Sequence, residues 1–318
     1  MNSGIVMQAQ GLTRYFGSRK VVDQLTMDVP RGSVFAFLGR NGSGKTTTIR
    51  MLLGLSEPTR GSSTVLGHDS RHLPPEVIAR IGYMSESHSM YEWMTVGQCG
   101  AYQARFYPRW NANVFDSIVG HFHLDLRAKA GDLSRGERAG LSLAMTLAPE
   151  PELLILDDPA IGLDPVARRS LLESMIYITR DSDRTIFFSS HLLDDVERVA
   201  DHIAILDRSA LRVLCSVDTL RSSVRQFTLH YPGPDALPAK LPALRGLLRV
   251  RRSATDLWLT VAAPDDATQR ELRLLGAATI VEAPVGLNDA VIGYLGDRGE
   301  HGFFLDGMPA LAAAGGAA

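Results

Sequence analysis

Cysteine is almost absent: the 318 residues include only Cys99 and Cys215. They lie far apart and outside any CxxC or Cys/His spacing, which suits a reducing cytoplasm and predicts buried free thiols. An excess of either charge is missing too. Thirty-three basic against 35 acidic residues leave a net charge of −2, so no long-range field draws the chain to nucleic acid or to an anionic membrane surface, and no nucleic-acid partner is expected. Nowhere does an uncharged apolar run approach the roughly 20 residues needed to span a bilayer. The N-terminus, MNSGIVMQAQGLTRYFG, has neither the basic start nor the apolar stretch of a signal peptide. A soluble chain is expected, with any membrane role exercised through a partner. There is no internal repeat and no heptad run.

With 45% hydrophobic residues the chain can bury a sizeable core, and its length leaves room for one large domain and a smaller one. Residues 33 to 38 (SVFAFL) form a short apolar run. A glycine-rich loop follows, and TTTIRMLLG then sets Ile49, Leu52 and Leu53 at helical spacing. Further strands are predicted at Ile81 to Met84, Leu153 to Leu156, Thr185 to Ser189 and His202 to Leu206, with helical stretches between several of them. That alternation predicts an α/β fold on a mostly parallel sheet. Val96 to Phe106 and Asn113 to Phe122 read as a helical insertion, placed at about 90–150. Beyond residue 221 the texture changes: Phe227, Leu229 and Tyr231 alternate with polar residues, as do Leu248 and Val250, then Leu257, Leu259 and Val261, with prolines 232, 234, 238, 242 and 264 between them. A small α+β domain over 222–296 is expected there, with helices near 267–275 and 287–296. From His301 the sequence runs out in alanine and glycine, as a flexible tail over 301–318 would.

The loop Gly39-Arg40-Asn41-Gly42-Ser43-Gly44-Lys45-Thr46 fits GxxxxGK[ST] in the strand-to-helix setting that this phosphate-binding motif requires. Glycines 39, 42 and 44 let successive N–H groups point inward at phosphate oxygens, and the helix start adds its positive end. Lys45 supplies a point charge to the β and γ phosphates, and the Thr46 hydroxyl suits Mg²⁺. Thr47 follows in the same turn. Such a loop alone could belong to a GTPase, a kinase or an ATPase. About a hundred residues on, Leu133-Ser134-Arg135-Gly136-Glu137 stands ahead of the apolar strand LLILDD. This order of phosphate loop, LSxGx and acidic strand end resembles the ATP-binding cassette (ABC) family over residues 5–220.

The resemblance implies the P-loop cassette fold and the site residues of an ATPase. Phe16 falls where an aromatic ring stacks on adenine, with Tyr15 beside it as the other candidate and core packing as the bland alternative. Asp157 matches the carboxylate that holds Mg²⁺, unless it merely caps a helix. Asp158 stands where the family has glutamate, the group that activates water. Aspartate keeps the charge but draws it back by roughly 1 to 1.5 Å, so hydrolysis is expected to be slow, not absent. His191 matches the family's switch histidine near the γ-phosphate, the alternative being a capping or buried histidine. Glu86 stands at the usual glutamine, keeping an oxygen for Mg²⁺ or water but losing the amide donor. Ser134 and Gly136 remain of a signature in which Arg135 and Glu137 are departures, and Asp164 matches the aspartate that reaches across a dimer interface, if it is not an ordinary turn residue.

The same resemblance implies ATP and Mg²⁺ as ligands, a second ABC subunit whose signature caps the bound nucleotide, and a transmembrane permease that holds the chain on the cytoplasmic face of the membrane. Phe106-Tyr107-Pro108-Arg109-Trp110 and the C-terminal domain look like ATPase subunits of ABC-2-type exporters and Ytr-like systems. Met90, Tyr91, Trp93 and Met94 could form a groove for a coupling helix or simply pack the insertion. Two alternatives stand beside an ATP-hydrolysing transporter subunit. One is a degenerate nucleotide-gated module marked by Asp158, Glu86 and Arg135. The other is a soluble ABC protein of translation or DNA repair, disfavoured by the single cassette.

Overall fold

A computed structural model describes residues 4–161, 163–180 and 184–296. The chain forms two compact units, Met1–Asp218 and Thr219–Ala318. The first opens with an antiparallel hairpin, β1 (Ile5–Phe16) and β2 (Arg19–Pro30), turned at Gly17 with φ +59°. In β2, Leu25, Met27 and Val29 are buried while Thr26 and Asp28 face water, the period of two of a half-buried strand. β3 (Val34–Gly39) is buried throughout and leads through the glycine loop into α1 (Lys45–Leu52). Then come β4 (Arg60–Val65), the two-residue β5 (His68–Asp69), α2 (Pro75–Ile78) and β6 (Ile81–Met84).

Three helices follow: α3 (Val96–Ala104), α4 (Ala112–His121) and α5 (Arg135–Leu147). They close a core of their own around Val96, Cys99, Phe115, Val119 and Leu141. Helix contact there is close enough that only glycine fits. A Cβ on Gly140 would lie 2.4 Å from the Phe122 ring, and one on Gly100 would lie 2.6 Å from Phe115. The unit is completed by β7 (Leu153–Leu156), α6 (Pro165–Arg180), β8 (Thr185–Ser190), α7 (Leu193–Val199), β9 (His202–Asp207) and β10 (Ala210–Ser216), with α8 (Val217–Ser223) at the boundary.

The described strands of this unit make one sheet in the order β5-β4-β1-β2-β10-β9-β3-β8-β7-β6. From β9 to β6 it is parallel. Phe35, Phe37 and Phe187 stack across its middle at 5.5 Å between ring centroids. On the other flank, β1 pairs antiparallel with β2 and β4, and β10 with β9. The parallel pairing expected from the sequence is found from β9 to β6, and β10 also pairs parallel with β2, while the flanking strands joined by tight turns pair antiparallel and make the sheet mixed.

The second unit is a four-stranded antiparallel sheet in the order β12-β13-β11-β14, formed by β11 (Val224–His230), β12 (Leu247–Arg252), β13 (Asp256–Ala262) and β14 (Thr279–Pro284). Helices α9 (Asp266–Arg273) and α10 (Leu287–Leu295) accompany it. Phe227, Leu229, Leu257, Leu259 and Leu272 form its core. The tail expected at 301–318 lies outside the described residues. Cys99 is buried, but Cys215 is only half-buried, and neither is in a disulfide. Among the described residues, no helix is long and apolar enough to cross a membrane.

Candidate nucleotide-binding and hydrolysis site

The parallel strands deliver the candidate residues to one end of the sheet. β3 ends at Gly39, where a Cβ would sit 2.4 Å from Ser43 Oγ and 2.5 Å from the Leu206 carbonyl oxygen. Gly44 has φ +110° and sits 2.4 Å, by the same measure, from the Val21 carbonyl oxygen. No residue with a side chain fits at either point, so the loop is a concave run of backbone. Gly44 gives α1 a left-handed N-cap with no side-chain cap, leaving the amides of the first turn to another acceptor. Ser43 Oγ is buried there with no partner. Lys45 is buried as well, its Nζ donating to the Gly39 carbonyl at 2.8 Å. Burial lowers its pKa, while Asp158, Asp157 and Glu86 pull the other way and favour the charge. Unused amides, an orphan hydroxyl and a buried ammonium make a cradle for an anion with several oxygens, as a polyphosphate is.

Asp157 and Asp158 follow β7 and are both buried. Asp157 Oδ1 accepts from Ser189 Oγ at 2.7 Å, and the same oxygen of Ser189 accepts from the Asp158 backbone N–H at 2.8 Å. Asp157 is thus not a helix cap. Asp158 takes a positive φ of 47°, and its carboxylate meets His191 Nδ1 at 2.8 and 3.1 Å. His191 therefore partners the second acid at the end of β8 rather than standing alone as a cap.

One cleft of about 470 Å³ gathers Phe16, Asn41, Gly42, Gly44, Lys45, Thr46, Thr47, Glu86, Asp157 and Asp158, together with Arg19 and Val21. Phe16 is 52% exposed, which removes core packing as its role, and the Arg14 guanidinium lies 4.7 Å over its ring. Tyr15 has Lys20 over its ring and does not line the cleft. Ser134, Gly136 and Asp164 lie off it, close to one another: Asp164 Oδ2 comes within 3.8 Å of a Cβ built on Gly136. Asp164 Oδ1 accepts from the N–H groups of Val166 and Ala167, at 2.8 and 3.0 Å, which caps α6 and lowers its pKa. Ser134 and Glu137 form a reciprocal capping box at the start of α5.

Three residues escaped the sequence reading. Ser189 ties the two acids together, and a polar pair inside the otherwise apolar TIFFSS was its signal. Arg14 and Arg19 flank Phe16 on the β1–β2 hairpin, and no pattern in the sequence marked them.

The ABC transporter family model matches residues 22–161. The chain is 35% identical over 225 residues to the bacitracin transport ATP-binding protein BcrA of Bacillus licheniformis, covering 70% of this chain and 73% of that one. It is 27% identical over 305 residues to the Nod factor export ATP-binding protein I of Ralstonia nicotianae, covering 90% and 92%. A solved ATP-binding subunit of an ABC transporter superposes with a TM-score of 0.63 at 28% identity, covering 68% of this chain and 92% of that one. A phosphate-cradling loop opposed by paired acids on a mixed sheet defines a nucleotide-binding ATPase subunit. The chain belongs to the ATP-binding proteins of the ABC transporter family.

Proposed function

We propose that this chain hydrolyses ATP slowly in the 470 Å³ cleft, and that the closure of two such subunits around ATP drives an exporter. The convergence of Lys45, Thr46, Asp157 and Asp158 on one cleft beneath an uncapped helix start carries this reading. Phe16 offers a π-face to adenine. The loop amides and Lys45 hold the phosphates. Thr46 and Asp157 would hold Mg²⁺, with Glu86 acting through water, and the ion would screen the phosphate charge. Asp158 orients and deprotonates the attacking water, and His191 fixes its carboxylate. That carboxylate is both short and engaged at 2.8 Å, which supports a low turnover.

Ser134, Gly136 and Asp164 cluster away from the cleft of their own chain, which supports the proposal that they cap a nucleotide held by a second subunit. The insertion presents Tyr91, Trp93, Tyr102 and Phe106 as a run of exposed rings in tilted and edge-to-face contact. Met90 and Met94 pack inward instead. An apolar groove lined by Leu53, Leu55, Ile78, Tyr107 and Met145 supports docking of a permease segment on the same unit. Export is proposed from the near full-length likeness to a Nod factor export protein. Membrane association is proposed to come through that permease alone, on the cytoplasmic side.

The engagement of both Asp158 oxygens by His191 favours one second reading, a module that binds ATP and leaves hydrolysis to a partner subunit. Mg²⁺-dependent ATPase of the purified chain decides between them. A rate that survives Lys45→Ala would reveal a contaminant. Tight ATP binding with no turnover, alone or with the permease, would establish the module.

A further inference from the structure

Two guanidiniums flank the ring of Phe16, and they are held differently. Arg14 lies 4.7 Å over the ring, and its Nη1 donates to the Glu57 carbonyl at 2.6 Å. The protein itself engages it. Arg19 is exposed and makes no side-chain hydrogen bond or ion pair among the described residues.

The turn of the hairpin brings Arg19 to the nucleotide cleft. Gly17, at φ +59°, and Ser18 join β1 to β2, and this two-residue connection sets Phe16 and Arg19 directly opposite each other. Residues opposite in an antiparallel pair project from the same face of the sheet. The hairpin therefore delivers ring and guanidinium together, and both line the 470 Å³ cleft. From there Arg19 extends to the phosphate loop: its Nη2 lies 3.9 Å from the place a Cβ would occupy on Gly42. Gly42 is exposed, whereas Lys45 serves the loop from its buried side, bonded to the Gly39 carbonyl. Two cations thus approach one turn of backbone from different sides.

The side chains lining the cleft carry three carboxylates, Glu86, Asp157 and Asp158, against the two cations Lys45 and Arg19. The acids repel an entering polyphosphate, and the repulsion rises with each phosphate. Arginine's planar fork of donors suits phosphate oxygens, and Arg19 gives up no partner within the protein in order to meet them. We infer that Arg19 binds oxygens of the nucleotide beyond the α-phosphate, and so raises the preference of this site for nucleoside di- and triphosphates over monophosphates. This rests on the nucleotide-binding reading above: Phe16 meets the base whatever follows the ribose, while Arg19 meets only what reaches the loop.

The test is displacement of a fluorescent ATP analogue from the full chain by ATP, ADP and AMP, in EDTA and at two salt concentrations. Arg19→Ala is expected to weaken ATP about ten-fold and AMP little, with the melting temperature of the ligand-free chain unchanged. Arg19→Lys recovers part of the loss, because the charge returns without the fork. ATP affinity falls less steeply with salt in Arg19→Ala than in the wild type, since one screened contact is gone. Phe16→Ala supplies the contrast and weakens all three ligands alike, because all three carry the base. Equal losses for AMP and ATP in Arg19→Ala would mean that the arginine acts through the neighbouring ring, and would overturn the phosphate contact. Unchanged ATP affinity in Arg19→Ala sinks this inference and leaves the nucleotide site standing, whereas a wild-type chain that binds neither the analogue nor ATP sinks the nucleotide reading itself.

Discussion

Two helices of the first unit begin beside the family's two phosphate-handling motifs, and they begin differently. At α1 the N-cap is Gly44, left-handed and without a side chain to satisfy the amides above it. At α5 the Ser134 hydroxyl accepts from the Glu137 N–H at 3.3 Å, and the Glu137 carboxylate accepts from the Ser134 N–H at 2.8 Å. One helix start is left for an external anion; the other is satisfied by its own residues. Glu137 thus closes a capping box at the signature, as a glutamine at that position would also do. The Ser134 hydroxyl still has its hydrogen to donate outward, so its self-sufficiency as an acceptor leaves it able to contact a nucleotide.

The largest expected effect breaks the α1 side. Lys45→Ala removes the buried ammonium and lowers ATPase turnover by roughly 10² to 10³-fold, read as the loss of Mg²⁺-dependent phosphate release. Asp158→Glu, opposite α1, extends the second acid toward the water. Turnover is expected to rise about ten-fold or more, within the roughly 10² to 10⁴-fold span of general-base catalysis, while ATP affinity in calorimetry stays the same. Unchanged or lower turnover would refute the short-acid explanation. Gly44→Ala forces a Cβ to within 2.4 Å of the Val21 carbonyl at a left-handed φ. It is expected to destabilise the fold by about 1–3 kcal/mol in denaturant titration and to abolish the thermal shift produced by ATP.

On the α5 side, Ser134→Ala is expected to cost about 1 kcal/mol of stability, a loss that nucleotide bound to the same chain does not restore. Restoration by nucleotide at low protein concentration would erase the contrast between the two helix starts. The smallest effect concerns pH. Hydrogen bonds from Ser134 hold the Glu137 carboxyl below its ordinary pKa, so its contribution is full above the ordinary glutamate value and is lost as pH falls through the lowered one. Glu137→Gln is expected to flatten that acid limb of the stability curve slightly.

The parallel half of the fold was legible because its strands are short and largely apolar: Leu153–Leu156 and Ile81–Met84 were bounded in the sequence as they are in the structure. The antiparallel flank was not, because β1 mixes glutamines, Gly11 and irregular register into its twelve residues, which blurs the period of two. β14 escaped for a related reason: it is largely exposed, so no buried face marks it. In the site, the loop and the acids are contiguous in sequence and could be read directly. Ser189 and the arginines of the β1–β2 hairpin reach it only through sheet order, which no local pattern encodes. The pairing of His191 with Asp158 likewise depends on β7 and β8 lying side by side.

Ser189 touches the side chain of one acid and the backbone of the next. A single hydroxyl therefore couples the geometry of the residue proposed to anchor the metal to that of the residue proposed to work on water. Neither acid can be re-aimed without disturbing its neighbour, so a designer who wants a faster enzyme must retune the strand that carries this serine together with the acid itself.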